Sequence, residues 1–434
     1  MPTTYLDKLF MFNPPHEKND IDDLFVNRDD DLAHGVEFFY DHISLTQIHV
    51  IHGHSRMGKS HYLKRLINRL KQKKLPFLFY DINANSKQRA RIVLNDIFDA
   101  LKKEIFAFNP ELHGVQKDTP AMQHISVAKD MLIDISSLVT GEREQMVCTQ
   151  MRERIVHNQT TFSLLPKFIQ AIWQSGEERK IGEEKQWMMS GLSNENVIEL
   201  IKYQADLLMN KLLPDEKKSI LLTVDDLDLL YVKPGGDEAV MHLLTFLNQL
   251  ASESLFNILV TMRTEAFHDR QKDMTPFRKI GLLDDIEIKD IYHKHLECFN
   301  SSQPIFSDQA IDFLLECADG CIGDFLKNCH SIFNDNFGWY KKGNLIDVNE
   351  IKNHVEKNIS EHLRFRETKS LMLEIINWVK KEKKQEFSTN QPIIALFLDR
   401  ILTRDSDQPD RYYINPLYLN VIKEYSKNNI PIST

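Results

Sequence analysis

Cysteine is scarce. Five thiols in 434 residues, an odd number, exclude a small secreted fold stapled by disulfides. Glycine and proline are sparse too, 15 of each, which excludes collagen-like repeats and long low-complexity tracts. No stretch of about 18 consecutive apolar residues occurs, so no membrane-spanning helix is expected. Met1-Pro2-Thr3-Thr4-Tyr5 carries neither a basic n-region nor an apolar h-region, which makes a cytoplasmic protein with no membrane partner the expectation. An excess of positive charge is also missing. Lysine and arginine total 54 against 63 aspartates and glutamates, a net charge of −9, so any nucleic-acid contact has to be local. The remaining composition, 42% hydrophobic and 27% charged, is globular, in a chain long enough for roughly two to four domains. Cys317, Cys321 and Cys329, with His330, could be viewed as a metal cluster. The intervening Ala318-Asp319-Gly320, Ile322 and Phe325 read instead as the inside of a helix–turn–helix with buried structural thiols.

Against these absences stands one octapeptide. Gly53-His54-Ser55-Arg56-Met57-Gly58-Lys59-Ser60 fits G-x-x-x-x-G-K-[ST]. The β-branched run Ile48-His49-Val50-Ile51 precedes it and reads as a buried strand, and Tyr62 to Leu70 follows with apolar residues at helical spacing. A strand–loop–helix of this kind aims backbone N–H groups and a helix N-terminus at a polyphosphate. Lys59 is then placed to reach the β- and γ-phosphates, and Ser60 to complete a Mg²⁺ shell. His49, His52 and His54 crowd the motif, but their spacing is no metal signature.

A second strand, Pro76 to Ile82, makes a βαβ unit and predicts a parallel sheet covered on both faces. Arg91 to Ile105 reads as an amphipathic helix. From about 106 to 195 no strand is evident, only helical patches at Ala128–Val139 and Leu164–Gln174, and the stretch is expected to be a helical insertion outside the sheet. Ser219-Ile220-Leu221-Leu222-Thr223-Val224-Asp225-Asp226 then runs from an apolar strand into paired carboxylates. Asp225 suits the water-mediated hold on Mg²⁺, and Asp226 the orientation or deprotonation of an attacking water. A helix N-cap or turn is the plainer alternative for this pair. After a helix at Ala239–Leu250, the strand Phe256 to Arg263 offers Thr261 and Arg263 as readers of a γ-phosphate. A solvent-facing strand-end arginine is the competing reading.

With these motifs the chain resembles the origin-recognition and STAND side of the AAA+ superfamily of P-loop ATPases, over residues 22–105 and 215–355. Phe25-Val26-Asn27-Arg28-Asp29-Asp30-Asp31-Leu32 is similar to the F-x-G-R-x-x-E-L box that lines the adenine pocket there, with Asn27 where glycine is usual. The resemblance implies that Val26 and Arg28 join Gly53, His54, Ser55, Arg56, Met57, Gly58, Lys59, Ser60 and His61 around ATP. Val224-Asp225-Asp226 looks like the hydrophobic-D-D Walker B of STAND proteins, and Val260-Thr261-Met262-Arg263 like their T-x-R sensor 1. Ile286 to Tyr292 resembles the opening of the helical lid. Ala318 to Lys327 resembles the sensor 2 helix, with Leu326 where arginine is usual and Lys327 one residue late. Arg278 holds a position from which an arginine finger could reach a neighbouring subunit, and a plain surface arginine is the alternative.

The last stretch reads as a separate module: a helix at Thr368–Lys380, a second at Pro392–Leu402, a polar turn at Thr403–Asp410, a hairpin-like Tyr412–Tyr418 and a helix at Leu419–Tyr425. That order is winged-helix-like, a module that related ATPases use for DNA or partner contact. Lys380-Lys381-Glu382-Lys383-Lys384 is locally basic, as a solvated helix end also is, and no base-reading pattern is evident.

The expected architecture is thus α/β. An N-terminal segment (1–45) holds the adenine box, a P-loop core (46–275) carries the helical insertion, and a helical lid (276–358) and the winged-helix-like module (359–434) follow. The expected function is an ATP-binding and hydrolysing switch whose nucleotide state governs homo-oligomerisation and engagement of DNA or a partner protein, in genome defence or DNA transactions. Its expected catalytic residues are Lys59, Asp226 and Arg263, with Mg²⁺ at Ser60 and Asp225. The alternative is an ATP-stabilised scaffold that recruits a partner without turnover.

Overall fold

The structure is a computed structural model. It describes residues 28–42, 45–54, 56–83, 90–108, 120–140, 145–147, 177–181, 184–190, 192–213, 219–227, 236–253, 255–268, 272, 274–298, 304–380, 387–388, 401–404 and 411–427. Val26, Ser55, the segment 164–174, most of 392–402 and the lysines at 381, 383 and 384 lie outside these residues.

Helix α1 (Asp29–Asp41) opens with three aspartates, the charge a helix N-terminus favours. Strand β1 (Ile48–His52) is buried along its whole length and leads into α2 (Lys59–Gln72). There follow β2 (Phe77–Asn83), α3 (Ala90–Ala107) and α4 (Pro120–Thr140). Short strands β3 (Gln145–Val147), β4 (Glu177–Ile181) and β5 (Glu184–Ser190) precede α5 (Asn194–Asp206), which Ser193 caps through the Asn196 N–H. Strand β6 (Ser219–Asp225), helix α6 (Gly236–Ala251) and strands β7 (Phe256–Met262) and β8 (Thr275–Lys279) complete the core.

The five long strands form one parallel sheet in the order β2-β6-β7-β1-β8. The central strands β6 and β7 are mostly apolar and buried along their whole length, because both faces of the sheet are covered. Alternate residues part cleanly. Ile51, Leu221 and Leu259 pack with Tyr62, Leu63 and Leu66 of α2 and with Leu32 and Phe39 of α1. Val50, Leu222 and Val260 turn to the larger core built with α3, α4, α5 and α6.

Two features of the core differ from expectation. The 106–195 stretch is not all excursion, since α4 buries Met131, Leu132, Ile135 and Val139 in the main core. It also holds an antiparallel sheet, β3-β5-β4, whose residues lack a clean polar–apolar alternation. Only Gly182 and Glu183 separate β4 from β5, the spacing of a tight hairpin. The second difference is β8, which carries the core sheet to Lys279, past the expected boundary at 275. Pro276 and two cations mask it, and its edge position explains why a proline is tolerated.

Beyond the sheet, the lid comprises α7 (Asp285–Cys298), α8 (Asp308–Ala318), α9 (Ile322–Asp335) and α10 (Val348–Arg364). A reciprocal Asp347–Glu350 capping box starts α10. Helix α11 (Arg366–Lys380) leads to an antiparallel ribbon of β9 (Phe387–Ser388), β10 (Leu402–Arg404) and β11 (Arg411–Ile414), then α12 (Pro416–Lys427). An antiparallel ribbon is present, but Leu402 begins a strand rather than ending a helix, and the stretch expected as a hairpin at 412–418 is one strand, β11, followed by the start of α12 at Pro416. The boundary at 358/359 falls inside α10. Val355 and Ile359 share one core with Leu417, Tyr418 and Val421 of α12, and Asn358 donates to the Tyr418 hydroxyl at 2.7 Å. Lid and C-terminal module are therefore packed as one body, not as separate units. Among the described residues, no helix is long and apolar enough to cross a membrane.

Candidate nucleotide site

The phosphate loop starts where β1 ends. Arg56 (φ 64°) and Gly58 (φ 85°) both take the left-handed backbone conformation, and this turns successive N–H groups toward the N-terminus of α2. Gly58 adopts it freely, whereas a side chain at Arg56 costs about 1–2 kcal/mol. The Tyr62 N–H closes the first helical turn on the Gly58 carbonyl at 2.9 Å. Lys59 is buried, and its ammonium donates across the loop to the carbonyls of Gly53 (3.0 Å) and His54 (2.8 Å).

Asp225 stands at the C-terminal end of β6, two strands away from β1. The intervening β7 bridges that gap with a hydroxyl. Thr261 donates to Asp225 Oδ1 and accepts the Asp226 N–H at 2.8 Å. From the other side the Ser60 hydroxyl donates to the same Asp225 oxygen at 2.9 Å. Asp225 is 4% exposed, and its charge is tolerable in that position because these donors satisfy it. Asp226, at φ 57°, follows in a turn. Loop and acidic strand thus meet at one point. The Ser60 hydroxyl and Asp225 carboxylate are hard oxygen donors of the kind Mg²⁺ prefers, so the pair fits that ion.

His52, at the end of β1, stacks on Phe267 with centroids 4.5 Å apart and lies 3.3 Å from the Thr264 hydroxyl. Burial, then His268, Lys279 and Lys59, depress its proton affinity, so it sits beside the loop as a neutral ring. Arg28 donates to the Gly281 carbonyl at 3.0 Å, tying the start of α1 to the chain entering the lid. Burial, foremost, lowers its pKa. Arg278 pairs with Asp31 of α1. Arg263 follows directly on β7.

The lid touches the loop through α9. Arg56 forms an ion pair with Asp324, and the Gly323 N–H donates to the Arg56 carbonyl at 3.1 Å. Sequence reading looked for a cation at this end of the lid and missed the carboxylate. The left-handed backbone at Arg56 that accompanies this contact is visible only in the fold. Leu326, where a lid arginine was sought, is 6% exposed and belongs to the lid core. Cys317 and Cys329 are buried and Cys321 half-buried. Burial pushes Cys317 up to about 11 and Cys321 to about 12. Among the described residues no three potential ligands gather as a metal site.

No family model matches the sequence, and no curated protein matches it. Several solved structures do match. The Aeropyrum pernix ORC1 protein in complex with DNA is 10% identical with a TM-score of 0.44, covering 93% of this chain and 94% of that one. Drosophila ORC bound to DNA is 11% identical with a TM-score of 0.42, covering 98% and 90%. Domain III of the Thermotoga maritima replication initiation protein DnaA is 12% identical with a TM-score of 0.35, covering 76% and 92%. At TM-scores below 0.5 these likenesses settle nothing about what this chain binds or does. What the chain itself shows is a parallel sheet with Thr261 between the loop and the acidic strand, and a set of helices docked on that loop.

Proposed function

We propose that the chain binds ATP with Mg²⁺ at the phosphate loop under the lid and hydrolyses it as a molecular switch. One observation carries the reading: Ser60 of the loop and Asp225 of the acidic strand share a hydrogen bond of 2.9 Å across 165 residues of sequence. Chance motifs have no reason to converge in this way. Lys59 is already held at the loop, where exchanging carbonyl partners for β- and γ-phosphate oxygens is a short movement. Asp226, its backbone pinned by Thr261, orients the attacking water and accepts its proton as the water oxygen bonds the γ-phosphorus and the bond to the β-phosphate oxygen breaks. ADP and phosphate leave. Arg263 reads the γ-phosphate. Mg²⁺, held by Ser60 and Asp225, would neutralise phosphate charge, and most of the acceleration would come from positioning and charge.

The nucleotide state then governs self-association and engagement of DNA or a partner protein. The ribbon β9–β11, packed through α12 onto the lid, gives a physical link between nucleotide and such a surface. A second reading, an ATP-holding scaffold with negligible turnover, is favoured by Leu326, which leaves the lid without a cation at that position. Steady-state ATP turnover with and without double-stranded DNA, in the native chain and in Lys59→Ala, separates the two. The switch requires turnover that is lost in the variant. The scaffold requires tight binding without turnover.

A further inference from the structure

We propose that Asp324 of the lid is a positioning residue for nucleotide retention, acting through Arg56 of the phosphate loop. This rests on the nucleotide site proposed above. Four observations converge on the contact. Arg56 lies inside the loop at φ 64°, a conformation that side chains other than glycine rarely adopt. Its guanidinium pairs with Asp324 in the first turn of α9. Its carbonyl accepts the Gly323 N–H at 3.1 Å. At Gly323, finally, an added Cβ would lie 2.5 Å from Arg56 Cβ and 2.7 Å from its carbonyl oxygen, so the helix approaches as closely as it does only because glycine stands there.

The orientation decides the role. A phosphate loop uses its backbone N–H groups for the ligand, and the Arg56 guanidinium is instead paired with Asp324 of α9. Asp324 therefore does not touch nucleotide. It holds the lid helix against the loop, and the loop in the left-handed turn that presents its N–H groups. The lid cation sought at Leu326 is replaced by an inverted pair, with the cation on the loop and the anion on the lid. Both partners are about one-third exposed, 30% and 34% of their side chains, so the latch can open for exchange.

The test is stopped-flow release of a fluorescent ADP analogue from the full chain, in native, Asp324→Asn, Arg56→Ala and the double variant. Asp324→Glu serves as the rescue. Alongside it, hydrogen exchange of the Gly323 amide is followed in the nucleotide-free protein. Asp324→Asn is expected to speed release about fivefold and to speed Gly323 exchange, a coupling typical of linked sites. Asp324→Glu should restore both, and the double variant should release no faster than Arg56→Ala, because the two residues act as one unit. Additive effects of the two substitutions overturn the proposal. So does slower release from Asp324→Asn, which would mean that Asp324 withdraws Arg56 from the phosphates. Failure of the native chain to bind nucleotide overturns the functional reading itself. Unchanged Gly323 exchange in Asp324→Asn, with nucleotide binding intact, overturns the latch alone.

Discussion

Replacing Thr261 by valine removes one hydroxyl from the centre of the site and leaves the side-chain outline nearly intact. Thr261 is 0% exposed, so water cannot fill in for it without opening the sheet. Its bond to the Asp225 carboxylate is of the charge-assisted kind, worth about 1.5–3 kcal/mol. The second bond, accepted from the Asp226 N–H, is a smaller loss because that N–H also reaches Asp225 Oδ1 at 3.1 Å. A stability loss of roughly 2–3 kcal/mol follows. The effect on chemistry should be larger than on binding. Asp225 loses one of its clamps and the Asp226 N–H its shorter bond, and misplacement of this order costs roughly 10- to 100-fold in turnover. Steady-state ATP hydrolysis, nucleotide titration and thermal unfolding read the three effects separately. Thr261→Ser keeps the hydroxyl and should stay within a few-fold of native turnover. A Thr261→Val protein that melts and hydrolyses like the native chain would refute this account of the site.

Arg91 gives a structural prediction. Its guanidinium donates to the carbonyls of Val139 and Leu192 and to the Asn194 side chain, clamping both stems of the 141–191 stretch. Arg91→Ala should cost roughly 2–3 kcal/mol and speed proteolytic cleavage within those residues; unchanged cleavage would contradict the clamp. Acid should also destabilise the lid. His295 is 2% exposed, and burial, with His61 adding, depresses its pKa to about 3. The unfolded chain therefore binds protons below about pH 6.5 that the native chain refuses, so stability falls as pH drops through that window. His295 alone accounts for about 1.4 kcal/mol at pH 5.5. Denaturation midpoints at pH 7.5 and 5.5 should show this loss, reduced in His295→Gln, and an equal loss in both proteins would reassign it.

The phosphate loop was legible because it is a local motif flanked by strand and helix signals, and its meeting with Asp225 follows once the sheet is parallel. Thr261 was legible as a candidate but not as a bridge, since strand order decides that and no local pattern encodes it. Strand β8 escaped because an edge strand tolerates Pro276 and the adjacent cations Arg278 and Lys279. The β4–β5 hairpin escaped because its strands, such as Glu177-Glu178-Arg179-Lys180-Ile181, lack the apolar alternation of a half-buried sheet. The boundary expected at 358/359 is absent because α10 runs through it, and shared burial with α12 is a long-range property. Asp324 could not be identified from its helix alone. Its meaning comes from Arg56, 268 residues earlier.

The most direct test of the central claim is the Mg²⁺ dependence of ATP affinity in the native chain and in Asp225→Asn. If Ser60 and Asp225 form one site for Mg²⁺ and ATP, the ion should tighten ATP binding roughly tenfold in the native chain, about 1.4 kcal/mol, and leave the variant unmoved. An equal response to Mg²⁺ in both proteins, or no ATP binding by the native chain, would contradict the claim.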